Sequence, residues 1–287
     1  MPVDIFGRPS GGSGLMGPPG PPGPRGRPGI PGSINDLCAW MPRSVLNQLQ
    51  KTEEECCLVI EEPSKDIKRD GGNVTEWISR TGKCNAKAEK ASKDLIRLPD
   101  GKYALDFHEN RYVADGSNLF LGTCGDGYSY VCITFRVQAD TEQAIISNFD
   151  PDNPDEPFQE ISATSTEIRI WGGSSDSMPI YVTVQHNTRD WTTLFVDWTV
   201  HTDYRLHCNY IINNNPATIG SYEFTDLGIH TTGFSIGGRY NDTKFMTGTI
   251  SALDVYCNWQ CTQSIPSSLR HLIVSNQMLP SSSSSME

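Results

Sequence analysis

Glycine stands at every third position from Gly11 to Gly32, eight times in register, and the stretch from Gly17 onward reads GPPGPPGPRGRPGIPG. Proline between such glycines favours the extended polyproline-II helix, and only glycine fits where three such helices meet at a common axis. One chain cannot fold this segment alone. The competing reading is a flexible Pro/Gly linker, but composition of that kind without a period is what marks a linker, and here the period is strict. At about 3 Å per residue the run spans roughly 70 Å, short enough that three chains need help from elsewhere to stay together. Pro19, Pro22, Pro28 and Pro31 occupy the third place of their triplets, the position normally hydroxylated in such helices, and are the candidate hydroxyprolines.

The triplets resemble collagen, which implies export from the cytosol and self-association as a homotrimer or heterotrimer. The first ten residues hold no apolar run of signal-peptide type, and no stretch reaches the ~18 apolar residues that would span a bilayer. The expectation is therefore a fragment, or an isoform lacking an upstream signal or anchor. A net charge of −11 argues against nucleic acid or an anionic membrane as the main partner, since both ask for a basic face. Two sequons, at Asn73 and Asn241, agree with secretion as glycosylation candidates.

Nine cysteines is an odd count, which in an oxidising compartment leaves at least one thiol for another chain or unbridged. Cys56 and Cys57 are adjacent, and neighbours in sequence rarely bond to each other, because a disulfide needs a Cα separation and geometry that a trans peptide does not give. Two readings stay open for the pair: an interchain knot that locks three collagen-like chains in register, or two ordinary intrachain bridges. Zinc is disfavoured, because Cys257 and Cys261 lack a second ligand pair nearby.

Five regions are expected: an N-terminal leader (1–10), the triplet segment (11–32), a Cys-bearing connector (33–100), one folded domain (101–263) and a Ser-rich tail (264–287). In the connector, SVLNQLQKTEEE (Ser44 to Glu55) places Val45, Leu46 and Leu49 at helical spacing behind a Ser44 cap, and the lysine-rich stretch from 83 to 93 reads as a solvated face or linker. From Tyr103 onward the period becomes two. TLFVDWTV sets Leu194, Val196, Trp198 and Val200 on one face with Asp197 and Thr199 on the other; TEIRI, IYVTVQ, Tyr128 to Val137 and Thr249 to Tyr256 alternate similarly. Short strands with turn-rich joints and no helical segments predict an all-β, antiparallel jelly-roll sandwich.

Near the end of this region stand FSIGGRYN (Phe234 to Asn241) and FMTGTISALDVY (Phe245 to Tyr256). They resemble the close of laminin G-like domains, within the concanavalin A-like class, where an IGG strand leads through a loop to F-x-G-x-I-x-x-L-x-V/I-Y. In the same resemblance Trp191 to Trp198 and Tyr204 to Ile212 look like the central strand pair, and Tyr103 to Phe107 like the opening strand. Gly237 and Gly238 would permit close backbone approach and Gly248 a turn or bulge, with Ile250, Ala252 and Tyr256 alternating against Leu253 and Val255. All of this is architectural.

Some relatives in the jelly-roll class are glucanases, whose chemistry needs paired carboxylates along one strand; Ser251 to Tyr256 offers a lone Asp254. There is no G-x-S-x-G elbow and no P-loop, and His108-Glu109, His186, His201 and His207 read as ordinary structural residues. The chain is therefore expected not to be an enzyme. The one cluster of oxygen ligands is NFDPDNPDE (Asn148 to Glu156), where Asp150, Asp152 and Asp155 are candidate calcium ligands against the competing reading of a solvated turn. No other cofactor is indicated. The expected function is an extracellular or cell-surface collagen-like trimer whose laminin G-like heads bind a protein or glycan; a purely structural matrix component is the alternative, and a carbohydrate-active enzyme ranks last.

Overall fold

The computed structural model describes residues 53–81, 84–92, 95–115, 128–148, 160–175, 178–200, 206–215, 220–224, 233–241, 243–258 and 267–278, all within one compact unit, Ser33–Glu287. In chain order the strands are β1 (Glu53–Val59), β2 (Ile67–Asp70), β3 (Asn73–Ile78), β4 (Asn85–Ser92), β5 (Leu95–Arg97), β6 (Tyr103–His108), β7 (Arg111–Asp115), β8 (Tyr128–Val137), β9 (Gln143–Asn148), β10 (Glu160–Ala163), β11 (Glu167–Ser175), β12 (Met178–Gln185), β13 (Thr192–Val200), β14 (Leu206–Ile212), β15 (Gly220–Phe224), β16 (Gly233–Ile236) and β17 (Thr247–Asn258). A one-turn helix α1 (Pro63–Asp66) and a C-terminal helix α2 (Ser267–Gln277) complete the described elements.

Two antiparallel sheets form a sandwich of jelly-roll type. One runs β15-β14-β13-β8-β17-β6-β5, with β1 also on β17; the other runs β12-β11-β10-β9-β16-β7-β4-β3-β2. The long β17 pairs with β8 along one edge, while β6 (Thr247 to Ile250) and β1 (Ala252 to Asn258) share the other. The core lies between the sheets. Val131, Ile133 and Phe135 of β8, Leu194, Val196 and Trp198 of β13, Ile168 and Ile170 of β11, and Phe234 and Ile236 of β16 meet there, fully buried, as the alternation in each strand requires. Burying aliphatic and aromatic side chains of this size stabilises by roughly 1.5–3 kcal/mol each, which is why a period of two suffices to fix strand orientation.

The domain starts earlier than the sequence suggests. Residues 53 to 97 supply β1 to β5, woven into both sheets, so this part of the expected connector belongs to the sandwich, and β6 is not its opening strand. Glu53 to Glu55, the end of the expected amphipathic helix, pair with Asn258 to Tyr256 as strand, because β17 offers seven consecutive partners that a short isolated helix cannot match. Residues 85–92 of the lysine-rich stretch are β4, an interior strand with Ala86 buried and Lys87 and Lys90 in solvent, so the solvated face is real but this part is no linker.

Cys56 is bonded to Cys84 within the chain, with Cα atoms 5.4 Å apart, tying β1 to the residue before β4. Of the two readings left open, Cys56 takes the intrachain bridge and is removed as an interchain candidate. Cys57, on the opposite side of the same strand, is not part of that bridge.

Two glycine readings are sharpened. Gly237 has φ of 79°, and a Cβ there would sit 2.3 Å from Phe107, so close approach is required. Gly248 lies inside β17 rather than in a turn; a Cβ would meet the Arg136 carbonyl at 2.2 Å. The irregularity falls between Ile250 and Ala252, and it shifts the phase so that Ile250, Leu253 and Val255 all reach the core instead of taking opposite faces. Finally, the expected tail contains α2, which packs on the outer face of β8, β13 and β14. That packing explains why β8 is buried on nearly every residue rather than alternately.

Candidate functional site

The outward positions of β9 to β12 build a polar platform. Ser147, Glu160, Trp171 and Tyr181 are cross-strand neighbours in one row, and Ser162 and Arg169 form the next. The loop between β16 and β17 lies across this platform. Its path is set by the turn at Gly237 and by Arg111, whose guanidinium donates to the carbonyls of Arg239 and Tyr240.

From that loop Arg239 reaches Glu160, which is fully buried, with Nε 2.6 Å from Oε2 and Nη2 2.9 Å from Oε1. This two-pronged geometry is the strongest form of guanidinium–carboxylate contact. Lys244 places Nζ 2.9 Å from Glu142 Oε1 and 3.9 Å from Glu160 Oε1. Arg169 holds Glu142 at 3.0 Å and Glu167 at 2.5 Å. Three carboxylates thus meet three cations. The Trp171 indole N–H donates to Ser162 Oγ at 3.0 Å, and the Ser162 hydroxyl donates to Glu142 Oε1 at 2.8 Å. Burial would raise the Glu142 carboxyl, but hydrogen bonds from Lys244 and Ser162 and the charges of Lys244 and Arg169 outweigh it and hold it below its ordinary value.

Trp171 and Tyr181 are the aromatic part. Their centroids lie 4.7 Å apart, with Lys244 and Arg239 at 5.1 and 5.7 Å from the Trp171 ring and Arg169 at 5.3 Å from Tyr181. Tyr181 sits on the edge strand β12 and is 37% exposed, one of two large hydrophobic side chains so exposed among the described residues. A ring held in place by a second ring and a cation, with one side in water, is a preorganised contact surface for the apolar face of a sugar or a flat protein patch. Tyr, Trp and Arg are also the residues that dominate interface energetics.

Asp150, Asp152 and Asp155, Pro19, Pro22, Pro28 and Pro31, and the triplet glycines lie outside the described residues. Among the described residues no cluster of three His, Cys, Asp or Glu side chains forms a metal cage. Both sequon asparagines are half-buried: Asn73 opens β3 after the Gly71-Gly72 turn, and Asn241 lies in the loop over the platform, where the Thr243 hydroxyl donates to its Oδ1 at 2.5 Å. His186 pairs with Thr192 Oγ1 at 3.1 Å, and burial pushes its imidazole down, as suits a structural residue. Burial pushes the Cys132 and Cys208 thiols well up, so neither is a ready thiolate. Asp254 is not a surface carboxylate on its strand but is buried, against Gln277.

The platform residues Glu142, Glu160, Arg169, Trp171, Tyr181 and Lys244 were not singled out by sequence reasoning. Alternation in β11 and β12 marks Arg169 and Tyr181 as outward; their convergence with a loop some 70 residues later is a matter of topology.

No protein-family model matches this chain, and no curated protein matches it. Solved structures do match. The chain aligns with a structure of botulinum neurotoxin type C, whose cell entry depends on interaction with two ganglioside molecules, at a TM-score of 0.52 and 11% identity, over 82% of this chain and 53% of that one. The receptor-binding domain of a mosaic botulinum neurotoxin of serotype C/D aligns at 0.51 and 11%, over 77% and 50%, and the binding domain of serotype D/C at 0.51 and 11%, over 77% and 52%. This chain spans about half the length of these structures. The likeness establishes a shared antiparallel β-sandwich of jelly-roll type.

Proposed function

We propose that the sandwich is a recognition head, and that the platform around Tyr181 and Trp171 is where it holds an extracellular glycan or protein partner. The observation that carries this reading is the half-exposed Tyr181, braced by Trp171 and Arg169 at a sheet edge beside a set of paired charges. Glycans are the first ligands to test, because the fold is shared with domains whose toxin engages gangliosides and because an aromatic face flanked by charged donors suits a sugar ring. Binding rather than catalysis is favoured. Glycoside hydrolysis needs one carboxyl kept protonated, whereas Glu142 is held below its ordinary value and Glu160 is clamped by Arg239.

In this reading the laminin G-like heads sit on the collagen-like stem read from the triplets, as an extracellular trimer in which three weak sites gain avidity. The test is a glycan and extracellular-protein array probed with the whole secreted chain, alongside a Tyr181→Ala variant. Binding lost in the variant supports the reading, and binding by neither favours a structural matrix component.

A further inference from the structure

One end of the nine-stranded sheet is β12, which reads MPIYVTVQ, and among the described residues no strand lies beyond it. Which of its backbone groups face outward follows from one bond. The His186 amide, one residue past the strand, donates to the Thr166 carbonyl at 2.9 Å and so points to the side of β11. Backbone groups alternate sides along a strand, so those of Val182 and Val184 share that direction, whereas Tyr181, Thr183 and Gln185 present N–H and C=O outward. Pro179, which has no N–H, falls in the outward row, where its missing donor costs the sheet no bond.

An unpaired edge is a template for another strand, and edges are ordinarily blunted by charge or by shortness. The other sheet ends follow that rule: β2 carries Lys68, Arg69 and Asp70, β15 carries Glu223, and β5 is a three-residue strand with Arg97. β12 carries no charge. Its Val182 and Val184 pack on the core yet are only partly buried, while Tyr181, Thr183 and Gln185 are exposed. The core therefore ends in a row of apolar surface that a further strand would cover.

We propose that β12 is a self-association edge, pairing antiparallel with β12 of a second copy of this chain about a two-fold axis. A second copy fits because the strand has no charge to set against itself, and like charges directly opposite would oppose the pairing. A two-fold axis at Val182 lets Tyr181 exchange both backbone bonds with Thr183 of the second copy, an aromatic and β-branched pair of the favourable kind. It also brings the two Val182 side chains together at the rim of the core. The pairing needs no ligand, so it stands or falls separately from the recognition role of the platform.

The test is the mass of the whole secreted chain by sedimentation velocity over a concentration series, beside a Thr183→Pro variant. That substitution removes a donor from the outward row alone, so the fold is expected to survive by circular dichroism while the assembled mass falls by about twofold. If a stem joins three chains, one head in three is left to pair outside its own trimer, and the same fall is expected. Thr183→Lys and Thr183→Glu place like charges on diagonal neighbours across the seam. Each alone is expected to lose the pairing, and an equal mixture of the two to regain it. Equal masses for wild type and Thr183→Pro at every concentration overturn the proposal, as does a mixture that stays at the lower mass. Loss of the fold in Thr183→Pro also overturns it, because the amide would then serve the sheet instead of facing outward.

Discussion

The outer face of the nine-stranded sheet and that of the eight-stranded sheet both bury carboxylates under a later segment of chain, but they balance the charge differently. Beneath the β16–β17 loop, Glu142 and Glu160 meet Lys244, Arg169 and Arg239, and the Glu142 carboxyl is held below its ordinary range. Beneath α2, burial pushes Asp197 up against the pull of Arg270, Asn209 and Tyr128, and pushes Asp254 up against Cys57, Gln277 and Arg80. The first cover is locked by matched charge; the second leaves its acids nearer to taking a proton. A buried ion pair of the first kind is costly to break from one side, because the remaining charge stays buried.

The largest expected effect is therefore Arg239→Ala. It leaves fully buried Glu160 with Lys244 alone at 3.9 Å, and is expected to destabilise the chain by about 3 kcal/mol in denaturant unfolding. Arg270→Ala should cost less, about 1–2 kcal/mol, because Asp197 can relieve its charge by protonation and still accept from Asn209 and Tyr128. Equal losses in the two variants would remove the contrast between the faces.

Acid should separate the faces as well, and in opposite directions. Glu142 has a lowered folded value, so its contribution is present above its ordinary 4.5 and is lost as pH falls through the folded value. Asp197 and Asp254 have raised folded values, so their contribution is fullest below their ordinary 3.8 and is lost as pH rises through the folded values. Hydrogen exchange corrected for intrinsic rates, compared near pH 7 and near pH 4, should show the 237–246 loop loosening on acidification while α2 holds. If α2 loosens first, the charge assignment of the second face is wrong.

Strand alternation made the core legible. In TLFVDWTV it places Leu194, Val196 and Trp198 inward, where they lie. The same rule assigned Asp197 to the opposite face but carried no sign that a helix from residue 267 would cover it. That helix was hidden because the serine-rich end of the chain dominates its composition, although Leu269, Leu272 and Ile273 recur at helical spacing. Residues 53 to 55 read as the end of a helix because their partners, 256 to 258, lie some two hundred residues away. Likewise FSIGGRYN announced close backbone approach at Gly237, where a Cβ would strike Phe107, but not that its arginine would reach Glu160, 79 residues earlier.

The smallest expected change in stability carries the functional claim. Tyr181 is partly exposed on an edge strand, so Tyr181→Ala should alter unfolding by only about 0.5 kcal/mol. If the platform is the recognition site, the same variant should weaken binding of the array-selected ligand by about 2 kcal/mol, or about thirtyfold in Kd, as truncating a central aromatic does. Titration of wild-type and Tyr181→Ala chains with that ligand decides the matter directly: a loss of this size with an unchanged fold is expected, and an unchanged Kd would place recognition elsewhere on the head.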